Sequence, residues 1–184
     1  MGATSAWPFS TFETVGTDTP AAAAMSANVT RPRAALGSPA MPAPFGPVST
    51  EAKRLLEVTK ASLFAGVEQM RPGNHLGDVS SAIQRLVEAE GLSIIRTLVG
   101  HGVGRDMHEE PQVPNFGEPG KGPELEEGMV LAIEPMVNSG GPLVRMGEDG
   151  WSVYSEDDSL AAHFEFTVAV TPDGPRILTP WHLD

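Results

Sequence analysis

At Gly91 the apolar residues of this chain change their rhythm. Before it they recur at the three-to-four spacing of an α-helix; after it they gather in short β-type runs punctuated by Gly, Pro and Asn. Over residues 51–70, Leu55, Leu56, Leu63, Val67 and Met70 fall broadly on one helical face, and Arg71-Pro72-Gly73 supplies a stop. Asp78 is placed to cap a second helix whose buried stripe is Val79, Ile83, Leu86 and Val87, and Gly91 suits the position just past its end. The β-type runs are 93–99, 129–133, 151–154, 163–171 and 176–179. Helices first and strands afterwards imply an α+β fold, with two helices covering one face of a curved antiparallel sheet.

Residues 1–50 do not share this order. They hold 7 of the 17 prolines and no sustained period of either kind, so a disordered N-terminal arm is expected there and a folded unit over 51–184. The arm's four charges, Glu13, Asp18, Arg31 and Arg33, cancel, which leaves the net charge of -12 to the folded part. That acidic balance, with scattered Lys and Arg, argues against a nucleic-acid partner, because phosphate binding needs a basic patch. The lack of Cys excludes disulfides, thiolate metal sites and a Cys nucleophile, and it fits a cytoplasmic setting. No apolar run approaches membrane-span length, and the N-terminus lacks the basic start and apolar core of a secretory signal; no membrane partner is expected.

Two carboxylates interrupt the β-type half. Glu134 follows Val-Leu-Ala-Ile and precedes Pro135, where a strand leaves the core, and Glu165 sits inside His-Phe-Glu-Phe-Thr-Val-Ala-Val. A buried unpaired carboxylate costs several kcal/mol or neutralises itself, and a metal ion would compensate both charges. His101, between Gly100 and Gly102, follows an expected strand, and the glycines let the backbone turn tightly and leave the imidazole accessible. Without thiolates any metal is held by N and O ligands, a set suited to Mn, Fe(II), Co or Zn. His108 is near enough to serve the same cleft. His163 and Glu165, two apart, face the same side of a strand. His163 could join the cleft, but the preferred reading is a partly buried histidine with its hydrogen bonds satisfied. The acidic clusters Glu124, Glu126, Glu127 and Glu156, Asp157, Asp158 are read as solvated loops, and His75 and His182 are given no role.

Taken in order, Gly-His-Gly-Val-Gly at 100–104, His-Glu-Glu-Pro-Gln-Val at 108–113, Glu-Glu-Gly-Met-Val-Leu-Ala-Ile-Glu-Pro-Met-Val-Asn at 126–138, Asp-Gly-Trp at 149–151 and Phe-Glu-Phe-Thr-Val at 164–168 resemble the type I methionine aminopeptidases, metallopeptidases with the pita-bread fold. The resemblance runs from about 51 to 179 and covers the C-terminal half of that fold. It implies that His101, Glu134 and Glu165 are metal ligands and that His108 contacts the substrate and helps stabilise the reacting carbonyl. It also implies that a glutamate shuttles the proton, so His108 and Glu134 are the expected catalytic residues. The substrate would be the N-terminus of a peptide or nascent protein, from which an activated water removes methionine.

The family's first half supplies two aspartate ligands, one of them bridging two metals. Here the second aspartate would fall near Ala40, and no Asp or Glu lies between Asp18 and Glu51. The expectation is therefore at most one divalent ion, weak or no activity, and self-association through the exposed face of a half fold. A truncated or frameshifted reading frame, or a mis-set gene start, would account for the arm. The rival readings are a non-catalytic binding module derived from the fold and a relative that cleaves Xaa-Pro bonds. Phe166 departs from the family's usual His after the glutamate.

Overall fold

Ser49 opens the first helix by accepting the Ala52 N–H on its hydroxyl at 3.1 Å, which satisfies one of the donors a helix start leaves unpaired. The computed structural model describes residues 48–179, so the arm expected over 1–50 lies outside the described residues except for its last three positions. Helix α1 is Thr50–Glu68 and α2 is Leu76–Ala89. Between them Gly73 takes a φ of 85°, the left-handed turn that the Arg-Pro-Gly stop requires.

Asp78 does not cap α2 from outside, as expected, but from its first turn. His75 is the N-cap residue, and the Asp78 carboxylate accepts its backbone N–H at 2.7 Å and that of Gly120 at 2.9 Å. The hydrogen bond from His75 does most to hold the Asp78 carboxyl below its ordinary pKa, against the effect of burial. Past the other end, Gly91 adopts a φ of 68° and donates to the Glu88 carbonyl, the terminating turn anticipated for it.

The apolar stripes meet as the spacing requires. Leu55, Leu63, Met70, Val79, Ile83 and Val87 are fully buried in one core with strand residues Leu131, Ile133, Phe166 and Val168. Gly66 lets the helices approach, since a Cβ there would stand 2.8 Å from Ile83. Both helices lie against strands, α1 chiefly and α2 through the first of them.

Among the described residues ten short strands follow: β1 Ser93–Ile94, β2 Gly100–Gly102, β3 Glu109–Val113, β4 Val130–Ile133, β5 Met136–Asn138, β6 Val144–Met146, β7 Val153–Ser155, β8 Ala161–His163, β9 Phe166–Thr171 and β10 Gly174–Ile177. All pairings are antiparallel. They make a five-stranded sheet in the order β10-β9-β4-β2-β3, a three-stranded sheet β1-β5-β8 and the hairpin β6-β7.

The single curved sheet inferred from sequence is thus bent sharply enough to divide. The run 163–171, read as one strand, is β8 and β9 with Phe164 and Glu165 between them, and β4 and β5 are parted in the same way by Glu134 and Pro135. Pro135 has no N–H to give to a ladder, and neither carboxylate can sit in a continuous apolar sheet. No helix among the described residues is long and apolar enough to cross a membrane.

Candidate metal centre

The two breaks lie at one level. Ile133 pairs with Phe166 on one side of the bend and Met136 with His163 on the other, so the register passes through it without slipping. Glu134 is therefore opposite Glu165. Like charges directly opposite one another destabilise a strand pair, which makes this arrangement one that calls for a cation. One ligand atom each from Glu134, His163 and Glu165 lies within 4.8 Å of the others.

His101 reaches the same carboxylate from the neighbouring strand. It lies within β2 rather than in a turn after a strand, and its partner in β4 is Ala132. The flanking glycines consequently have a different purpose from the one expected. A Cβ on Gly100 would stand 2.3 Å from the Ala132 carbonyl oxygen, and one on Gly102 2.3 Å from that of Glu110, so both are needed for close strand approach and neither has a positive φ.

His101 Nδ1 stands 2.9 Å from the carbonyl oxygen of Gly102, which can only accept, so Nδ1 carries a proton. In the neutral imidazole this leaves Nε2 without a proton, 3.6 Å from Glu134 Oε1. A backbone carbonyl that fixes the far ring nitrogen is the arrangement expected of a metal-binding histidine. Glu134 Oε2 in turn lies 3.4 Å from His163 Nε2. The carboxylate stands between two imidazoles, and its own backbone carbonyl is held by the side-chain amide of buried Asn115 at 2.9 Å.

This donor set, imidazole nitrogens and carboxylate oxygens within a few ångströms of one another, fits a divalent ion. His108 stands beside it, its ring centroid 4.2 Å from that of His101 at a 49° tilt. Burial first, and then the nearby His101, lower the His108 pKa from its ordinary value, while Glu134 acts in the opposite direction.

The structure thus brings His101, His108, Glu134 and Glu165 to one place, and adds His163. Its spacing from Glu165 was visible in the sequence. The bend that turns it toward Glu134 was not. His75 lies elsewhere, at the start of α2, and His182 falls outside the described residues. Of the acidic loops, the one at 156–158 is more ordered than a solvated run implies: Asp157 accepts hydrogen bonds from Gly141 and Ser159, and Asp158 pairs with Arg145 at 2.6 Å.

Residues 40–172 match Metallopeptidase family M24. The sequence is 54% identical over 134 residues to the methionine aminopeptidase of Clostridium perfringens, a match that covers 73% of this chain and 54% of that protein. It is 50% identical over 143 residues to methionine aminopeptidase 1 of Bacillus subtilis, covering 78% of this chain and 58% of that protein. The crystal structure of methionine aminopeptidase from Thermotoga maritima is similar to this fold with a TM-score of 0.72 at 48% identity, over 73% of this chain and 54% of that one. The chain spans about half the length of the relatives it matches.

Proposed function

The chain belongs to Metallopeptidase family M24, and from that premise we propose that its unit 51–184 is the part of a methionine aminopeptidase that holds a divalent ion through His101, Glu134 and Glu165. The observation that carries this reading is the opposition of Glu134 and Glu165 across the bend, with His101 Nε2 3.6 Å from Glu134 Oε1.

A divalent ion bound there would supply a Lewis acid and lower the pKa of water from about 15.7 toward about 7. The chain's own groups do the rest. Glu134 would take up a proton from that water and pass it to the leaving amine. His108, beside His101, donates a hydrogen bond to the oxygen of the first peptide carbonyl as negative charge develops on it. The substrate is the N-terminus of a peptide or nascent protein that begins with methionine. A cytoplasmic site of action fits the absence of Cys.

For this chain taken alone, weak turnover is the expectation, since one ion and three ligands replace the two-metal site that the family resemblance implies. The test is release of methionine from a Met-Gly peptide with added Mn or Co. Slow metal-dependent release, lost in Glu165→Ala, is the expected result. No release from protein shown by calorimetry to hold the ion would sink the catalytic reading and leave a binding module.

A further inference from the structure

We propose that His163 is itself a ligand of the ion held by Glu134 and Glu165, a role that the sequence reading gave, among the histidines, only to His101. The proposal rests on the reading of this place as a metal centre, and its test is arranged so that the two can fail separately.

Position is the first argument. His163 ends β8 and pairs with Met136, which lies two residues beyond Glu134, while Glu165 lies two residues beyond His163. Unbroken register makes His163 the diagonal neighbour of Glu134 across the ladder, within reach of its carboxylate. The trio Glu134, His163 and Glu165 is the compact group, with its ligand atoms within 4.8 Å of one another, and His101 approaches Glu134 from its other oxygen.

Distance is the second. His163 Nε2 and Glu134 Oε2 are 3.4 Å apart. A charge-assisted hydrogen bond between imidazolium and carboxylate closes to about 2.7–2.9 Å. Two donors that each stand about 2.0–2.1 Å from a tetrahedral ion are separated by about 3.4 Å. The observed spacing suits two ligands sharing an ion and is longer than that of a contracted ion pair.

Burial is the third. His163 is 7% exposed, and beside it the apolar Met136, its partner in the ladder, and Phe164, its chain neighbour, are buried. A second imidazole beside two carboxylates would also move metal preference away from Mg and Mn toward Co, Fe(II) or Zn.

The experiment uses the full chain loaded with Co(II). A coordinated imidazole gives a paramagnetically shifted, solvent-exchangeable ring N–H signal in proton NMR, so each histidine ligand can be counted. His163→Gln keeps a hydrogen-bond donor for Glu134 but has no ring nitrogen. It should remove one such signal and raise the Co(II) Kd by about 100-fold or more, beyond the roughly 10–100-fold of a merely supporting partner. His163→Gly should lose the same signal and regain it, with the affinity, on addition of free imidazole. If His163→Gln keeps every shifted signal while His101→Gln removes one, His163 is no ligand and the broader reading survives. If the unaltered chain takes up no Co(II), both are overturned. Far-UV circular dichroism of each variant verifies that the fold is intact.

Discussion

His101 and Ala132 stand directly opposite one another in β2 and β4, and this pairing brings the imidazole to Glu134, two residues farther along the same strand direction. The approach depends on Gly100, whose missing side chain leaves room for the Ala132 carbonyl and the Glu134 side chain. Gly100→Ala would place a Cβ 2.3 Å from backbone oxygen, which no rotamer change can relieve. The expected destabilisation is about 1–3 kcal/mol, as for other overpacking changes. Metal affinity should fall as well, because β2 must move away from β4. Urea denaturation and Co(II) titration of the variant measure the two effects, and wild-type values in both would refute the close-approach account.

Opposition of Glu134 and Glu165 in the proposed metal centre makes metal and stability interdependent. Saturating Co(II) or Mn(II) at about 100 times its Kd should add about 2.7 kcal/mol to the stability of the chain. Glu165→Gln should abolish that increment. In metal-free protein the same variant should be as stable as the unaltered chain or more so, since one of two facing charges is gone. Thermal unfolding with and without a chelator decides the matter: a metal-free Glu165→Gln protein that melts lower would show that the two carboxylates are not in conflict.

Asn115 tests how the carboxylate is aimed. Its amide holds the Glu134 carbonyl at 2.9 Å from a fully buried position. Asn115→Ala removes that hold without touching any ligand atom, and metal affinity should weaken by about 10–100-fold, the usual range for a supporting partner. Calorimetric titration gives the number, and an unchanged Kd would mean that Pro135 and the strand pairing fix Glu134 unaided.

What the sequence conveyed and what it withheld separate along physical lines. The two helices were legible because a periodic apolar stripe is a local pattern, and Gly73 and Gly91 terminate them through local backbone geometry. His101, Glu134 and Glu165 stood out because charged or titratable groups in apolar or glycine-rich surroundings need a reason. The bend did not stand out, since the alternation from His163 to Thr171 reads as one strand. Only the partner strand, broken at Glu134 and Pro135, shows where it must break. His163 was undervalued for the same reason: its neighbour in space, Glu134, is 29 positions away in the chain. Strand β3 was missed because Glu109, Glu110 and Pro111 are poor strand formers that an edge position tolerates.

The loop at Asp157 should register in acid. Hydrogen bonds from the Ser159 hydroxyl, the Gly141 N–H and the Ser159 N–H lower its pKa from 3.8 to about 2. A carboxyl depressed on folding lends stability that is fully present above its unfolded pKa and disappears as pH falls through the folded one. The window here is therefore between about pH 4 and pH 2. Asp157→Asn should make the stability less steep in that range while changing little of its slope above pH 5. Urea midpoints at half-unit intervals from pH 2 to pH 6 would reveal it, and identical acid limbs for the two proteins would assign the acid sensitivity to other carboxylates, Asp78 and Asp149 among them.

Phe166 anchors the side of the bend opposite the candidate metal centre. It follows Glu165 directly, yet it is fully buried and meets Phe64 of α1 edge to face, with ring centroids 5.5 Å apart and planes at 71°. Consecutive residues thus point to opposite faces, the carboxylate to the centre and the aromatic ring to the helices. This gives the departure from the family's usual His a packing consequence, because a ring enclosed by α1 is best apolar. Phe166→Ala should cost about 3–5 kcal/mol through lost burial and the cavity left behind. Phe166→His should cost less, about 1–3 kcal/mol, mainly by burying a polar ring, and its penalty should grow as the pH is lowered and the imidazole takes up a proton. Denaturation of both variants at pH 8 and pH 5.5 separates the terms. A Phe166→His protein equal to the unaltered chain at both pH values would mean that the pocket against Phe64 already offers the imidazole a hydrogen-bond partner.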